Sequence, residues 1–200
     1  MLKLRKVAIT GGVASGKSSV CRFFEELGAY VVNADAAVHE LLTPDTDLGQ
    51  QIIRTLGSDI VTDGKISRRV IAEKVFKDSE QLEKLERLLH PAVLKRIEEQ
   101  YAEASKKGKY TAFVVEIPLL FEIGNEGFYD VIVAVLADEA LSRKRFEQAG
   151  FQPEEYDRRM RRQIKPSQKA KRAHYTILNN GSLEDLRKQV AALHQTIQKS

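Results

Sequence analysis

The chain has no tryptophan, one cysteine, two methionines and five prolines in 200 residues. A lone cysteine excludes an internal disulfide, and the four histidines are scattered without the Cys/His spacing of a zinc site. Cys21 falls on the apolar side of a helical stretch, where a thiol acts as buried filler. No apolar run approaches the roughly 20 residues of a membrane-spanning helix. The N-terminus is read as going straight into a strand. These absences make a soluble, cytoplasmic protein with no membrane partner the expectation. Internal repeats and low-complexity tracts are also lacking. What remains is 42% hydrophobic, enough for one good core with room for inserted subdomains.

Charge is unevenly placed. The net charge is +4, but from Arg143 to Arg172 eleven Lys/Arg stand against four acids, so that segment is about +7. Three readings stand open: a clamp for phosphates, a nucleic-acid surface, or solvated helix faces. Phe146, Phe151 and Tyr156 are the aromatics there. They are few for a surface on which single-stranded bases stack, and no nucleic-acid partner is expected.

The strongest motif is Gly11-Gly12-Val13-Ala14-Ser15-Gly16-Lys17-Ser18, which fits G-x-x-x-x-G-K-[ST] at every fixed position. An apolar strand-like run, Val7–Thr10, precedes it. Ser19–Leu27, with helical spacing and a Gly28 stop, follows it. Strand, glycine loop and helix together aim backbone N–H groups and a helix N-terminus at a phosphate. Lys17 supplies a mobile positive charge for the β- and γ-phosphates, and Ser18 a hydroxyl for Mg²⁺.

Ala29–Val32 reads as a second strand, parallel to the first through a βαβ unit. Asp35 lies just beyond it, and two readings weigh evenly: a group at the ligand edge of the sheet, or an N-cap for the helical stretch 36–42. From Thr43 to about Lys107 the pattern is helical, with turns at 43–45 and 62–65 and no convincing strand. Helices are predicted over 66–76, opened by Ser67, and from about Ser79, interrupted at His90-Pro91, where Pro91 either kinks the helix or opens the next one. This is far more than a minimal crossover and reads as an inserted subdomain. Strands return at Tyr110–Glu116, Asp130–Leu136 and His174–Leu178. Glu116, an acid at a strand end downstream of the P-loop, is Walker-B-like and suited to position Mg²⁺ through water. Helices over 139–148 and 154–163 form an arginine-rich hairpin suited to close over phosphates. Ser182 caps a final helix.

A GTPase is disfavoured, because no N-K-x-D sequence follows. The length suits a small-molecule kinase. At this point the chain resembles the dephospho-CoA kinase family along nearly its whole length. The matching pieces are Thr10–Val20, Val32-Asn33-Ala34-Asp35, Asp63–Arg68, Leu89-His90-Pro91, Ile117–Glu122 (I-P-L-L-F-E) and Asn179-Asn180-Gly181.

The resemblance implies a P-loop NTPase α/β/α core with a five-stranded parallel sheet, a helical substrate-binding insertion and a helical lid. The divisions are 1–35, 109–138 and 173–200 for the core, 36–108 for the insertion, and 139–172 for the lid. It implies transfer of a phosphoryl group from ATP, with Mg²⁺, to the ribose 3′-hydroxyl of dephospho-CoA, by a monomer or weak homo-oligomer. Asp35 would be the general base, with Lys17 and Arg143 beside it in catalysis. Gly12, Ala14, Ser15, Gly16, Lys17, Ser18, Ser19, Arg143, Asn179 and Gly181 would bind ATP. Asp35, Arg68, His90, Pro118 and Leu119 would bind the acceptor. Asn33 departs from the family pattern where the first acid of D-x-D stands. Ala14 replaces a usual glycine, Ser19 a threonine, Glu116 an aspartate and His174 an aspartate. Glu147 stands where a second lid arginine is common. A kinase with another acceptor, and an ATP-binding module that uses the basic segment on nucleic acid, are the rival readings.

Overall fold

The computed structural model describes residues 3–75 and 78–199. In chain order the elements are β1 (Lys6–Gly11), α1 (Lys17–Glu26), β2 (Tyr30–Asn33), α2 (Ala34–Leu41) and α3 (Asp47–Leu56). Then come β3 (Val61–Thr62), β4 (Lys65–Ile66), α4 (Arg68–Val75), α5 (Ser79–Lys107) and β5 (Phe113–Glu116). The chain continues with β6 (Val131–Leu136), α6 (Glu139–Gln148), α7 (Pro153–Met160), α8 (Pro166–Arg172), β7 (Tyr175–Leu178) and α9 (Leu183–Lys199). No helix among the described residues is long and apolar enough to cross a membrane.

Two compact units divide the chain: Met1–Asn33 with Ala104–Ser200, and Ala34–Glu103. The first holds a five-stranded parallel sheet in the order β2-β5-β1-β6-β7. Its strands are near-continuous Val, Ile and Ala runs, as expected when both faces are covered. Val7, Ile9, Val114, Val133, Val135 and Ile177 turn toward α1 and α9, whose Val20, Phe23, Phe24, Leu186, Val190 and Ile197 complete one core. The alternate residues Ala8, Ile132 and Ala134 are also buried and point to the opposite face. There α8 packs on β6 and β1. Because every strand runs the same way, the residues that end them (Gly11, Asn33, Glu116, Leu136, Leu178) share one edge.

Within that core His194, 7% exposed, meets Thr111 Oγ1 at 2.9 Å through Nε2. The Thr111 hydroxyl spends its proton on the Leu27 carbonyl at 3.1 Å. Nε2 is therefore the donor, and the neutral imidazole carries its proton there. Burial lowers the imidazole pKa from its ordinary value.

The second unit surrounds its own core, built on Leu42, Ile52, Leu56, Ile60, Ile66, Ile71, Val75 and Leu85. Thr46 caps α3 by accepting the Gly49 N–H at 2.9 Å, and Ser67 caps α4 through the Val70 N–H at 3.4 Å. Two features depart from the sequence reading. The 62–65 turn joins two short antiparallel strands, β3 and β4. Asp63 (φ 51°) and Gly64 (φ 72°) give it the two positive φ angles of a type I′ hairpin. Second, α5 is one helix of 29 residues that runs through Pro91, so of the two readings there the opening of a new helix is ruled out. The boundary between the units falls inside it. Phe76, the predicted end of the helix before it, lies outside the described residues. In the first unit, α7 is shorter than predicted, and α8 is a helix the sequence reading did not separate. Pro166 opens α8 at a position where its missing N–H costs nothing.

Candidate active site

The loop after β1 is shaped by its backbone. Gly11 (φ 144°) and Gly16 (φ 97°) adopt angles that L side chains resist. A Cβ at Gly11 would stand 2.1 Å from the Val135 carbonyl oxygen, and one at Gly16 2.1 Å from Asn179 Nδ2. Gly16 directly precedes α1, which has neither a side-chain cap nor an acid in its first turn. Its first N–H groups are left for an anion. Lys17 curls back over the loop, with Nζ donating to Gly12 O at 2.7 Å and Gly11 O at 3.5 Å. The Ser15 hydroxyl is buried and has no hydrogen-bond partner among the described residues. Ser19 follows on α1, half-buried.

Beside the loop, Glu116 ends β5 with 7% exposure. Ser18 Oγ donates to its Oε1 at 3.0 Å, and Asn33 Nδ2 donates to its Oε2 at 3.2 Å. The β2–β5 register sets Asn33 opposite Glu116. Asparagine there brings a donor where aspartate would bring a second negative charge. A hydroxyl and a carboxylate are the hard oxygen donors that suit Mg²⁺. No group of three or more His, Cys, Asp or Glu placed to hold a metal ion exists among the described residues. A Mg²⁺ ion held mainly by phosphates and water needs none. Cys21 lies close by, and burial, then the charge of Glu116, pushes its thiol far above the ordinary range. It is inert filler.

The loops after β6 and β7 lock this edge. Asn179, 6% exposed, donates through Nδ2 to Ser15 O at 2.8 Å. Its own carbonyl accepts Arg145 Nη1 at 3.0 Å. Asn180 and Asp138 exchange two hydrogen bonds, at 2.8 and 2.9 Å. Gly181 precedes the Ser182–Asp185 pair, in which Ser182 Oγ accepts the Asp185 N–H at 3.1 Å and caps α9.

Arg143 on α6 donates to Asp157 on α7 at 2.7 Å and to Glu139 at 3.3 Å, and lies 4.7 Å over the Tyr156 ring. Asp157, chiefly by hydrogen bonding, raises the guanidinium pKa, and Arg143 in turn holds the Asp157 carboxyl below its usual range. Val13 packs with Phe146 and Tyr156, and Ala14 and Met160 lie against them. A cleft of about 90 Å³ lies between Gly12, Ser15, Glu139, Ser142, Tyr156 and Pro166. Glu147 is exposed.

The segment after β5 is tied from below. Thr10 Oγ1 donates to Pro118 O at 3.3 Å. Leu120 and Phe121 are buried, while Leu119 is 40% exposed. Lys169, fully buried, also reaches Pro118 O and pairs with Glu122. Sequence reasoning passed over Lys169 and Arg145. Each is one cation in a basic run, and nothing in the spacing singles either out.

The structure thus gathers Gly11–Ser19, Glu116, Pro118-Leu119, Arg143 and Asn179–Gly181 in one unit. Asp35, Arg68 and His90 belong to the other. Asp35 is exposed and lies in the first turn of α2, which begins at Ala34, so it is not the N-cap the sequence allowed. Its carboxylate there suits the positive end of the helix. Arg68 opens α4, exposed, and His90 is half-buried in α5.

A family model for dephospho-CoA kinase matches residues 5–185. The dephospho-CoA kinase of Protochlamydia amoebophila is 46% identical over 199 residues, covering 98% of each chain. Among solved structures, a Thermus thermophilus protein superposes with a TM-score of 0.83 at 32% identity, over 96% of this chain and 97% of its own. A dephospho-CoA kinase from Campylobacter jejuni gives 0.72 at 29%, over 97% of both. With likeness of this extent in sequence and in fold, the chain belongs to the dephospho-CoA kinase family.

Proposed function

We propose that the protein transfers the γ-phosphoryl group of ATP to the ribose 3′-hydroxyl of dephospho-CoA, giving coenzyme A and ADP. The observation that carries this reading, beside family membership, is the joint geometry of the P-loop and Glu116. An uncapped helix N-terminus, Lys17 and a Ser15 hydroxyl with no hydrogen-bond partner among the described residues meet at the loop. Ser18 meets a buried carboxylate beside it.

The donor phosphates lie in the loop Gly12–Ser19, with Lys17 exchanging its loop carbonyls for β- and γ-oxygens. Ser18 and Glu116 would hold Mg²⁺, which would supply neutralisation of the phosphate charge. Asp35 accepts the proton of the 3′-hydroxyl as that oxygen attacks in line. The chain itself supports this role by carrying Asp35 two residues beyond Asn33, whose amide meets Glu116. Arg143 turns part of its fork from Asp157 and Glu139 to phosphate, for which a guanidinium is well shaped. Asn179 and Gly181 line the nucleotide's base, and Arg68, His90, Pro118 and Leu119 hold the acceptor. Positioning and charge neutralisation supply most of the rate.

ADP release measured across dephospho-CoA, nucleosides, nucleotides and small polyols tests the choice of acceptor. Dephospho-CoA is expected to give the highest kcat/KM. A better acceptor from another class overturns the choice.

A further inference from the structure

Lys169 takes no part in the chemistry described, yet its side chain has 0% exposure. A lysine is rarely buried unless it is paired. Here Nζ meets three acceptors with its three donors: Pro118 O at 2.6 Å, Glu122 Oε1 at 2.8 Å and Gln163 Oε1 at 3.3 Å. Glu122 Oε1 accepts the Ile164 N–H as well, at 2.8 Å. One ammonium therefore joins residues 118–122, just after β5, to residues 163–169 at the entry of α8. That entry in turn bears on the P-loop, since a Cβ on Gly12 would lie 3.1 Å from Pro166 Cγ. Burial lowers the lysine's pKa, and the hydrogen bond and charge of Glu122 work against that shift.

We infer that Lys169 is a positioning residue that holds Pro118 and Leu119 at the height and angle required to receive the acceptor. The inference rests on the reading of 118–119 as acceptor-binding. Leu120 and Phe121 anchor the segment in the core, and Leu119 is the apolar face it presents. Pro118 O is the point where Thr10, at the end of β1, and Lys169 converge on that segment. With all three ammonium protons used, Lys169 has nothing to offer a substrate directly.

The test compares the wild type with Lys169→Met and Glu122→Gln. For each, KM and kcat for dephospho-CoA, the Kd of ATP and the Tm are measured. Loss of a charge-assisted tether is expected to raise the dephospho-CoA KM of Lys169→Met by about tenfold, with the ATP Kd within about threefold. Glu122→Gln keeps an acceptor oxygen for Lys169 and Ile164, and its KM is expected to rise by roughly threefold. A purely structural role would lower Tm and the active fraction but leave KM unchanged, because KM does not depend on how much enzyme is active. An unchanged KM in Lys169→Met overturns the inference. If that variant does not fold, Glu122→Gln decides by the same criterion. A wild type active on dephospho-CoA beside variants of unchanged KM overturns the role of Lys169 alone. A wild type inactive on dephospho-CoA overturns the proposed function and this inference together.

Discussion

Replacing Asp35 by asparagine keeps its size and its place in the first turn of α2 while removing the carboxylate. Turnover is expected to fall about 10²-fold or more, with ATP affinity nearly unchanged. Rapid-quench kinetics beside nucleotide titration checks this, and near-wild-type turnover would leave Asp35 with only its helix-end role. His194 gives a prediction about stability. Its folded pKa lies below the ordinary 6.5, because burial disfavours the charged ring. As pH falls through about 6.5 the unfolded chain binds a proton that the folded chain refuses, so stability drops with falling pH. The Tm loss between about pH 7.5 and 5.5 is expected to be smaller in His194→Gln than in the wild type. Equal slopes would contradict that account. Residue identities were legible where a pattern forced them, as at Gly16, Lys17 and Ser18. The Asn33–Glu116 pair was not legible, because it depends on the register of two strands 83 positions apart in sequence.

Most of the elements could be read from periodicity. Each sheet strand is an apolar run that ends where the sequence breaks it, and α6 occupies 139–148 as its spacing predicts. The misses have physical causes. In β3–β4 each strand has two residues, too short for alternation, although Asp63-Gly64 carries the type I′ signal. At Pro91, of the two readings, a new helix lost to the continuing one. A proline removes one backbone hydrogen bond, while α5 keeps its turns on both sides. That cost predicts a gain on removal: Pro91→Ala is expected to stabilise the helical unit by about 1–3 kcal/mol. Thermal unfolding checks it, and a lowered Tm would show that α5 needs the proline's geometry. The basic segment also reads differently as elements. Arg143, Arg145, Arg159, Lys169 and Arg172 each engage a named partner, which leaves less free charge than composition suggests.

At the scale of the whole molecule, the parallel sheet gathers distant segments at one edge, and function follows from that edge. In the proposed function the P-loop takes the donor, and family membership and the segments after β2 and β5 choose the acceptor. Ligand binding should register in global stability, since anything that binds only the folded chain stabilises it. Mg·ATP at 100 times its Kd is expected to add about 2.7 kcal/mol, or roughly 5–10 °C in Tm for a chain of this size. Lys17→Ala should abolish most of that shift, and an undiminished shift would remove Lys17 from the nucleotide site.

The proposed reaction itself is tested by incubating the purified protein with ATP, Mg²⁺ and dephospho-CoA and identifying the product by mass and by phosphorus NMR. The expected product carries one added phosphoryl group, on the ribose 3′-oxygen, formed in equal amount to ADP. ADP formed with dephospho-CoA unchanged, or phosphorylation at another position, would contradict the account.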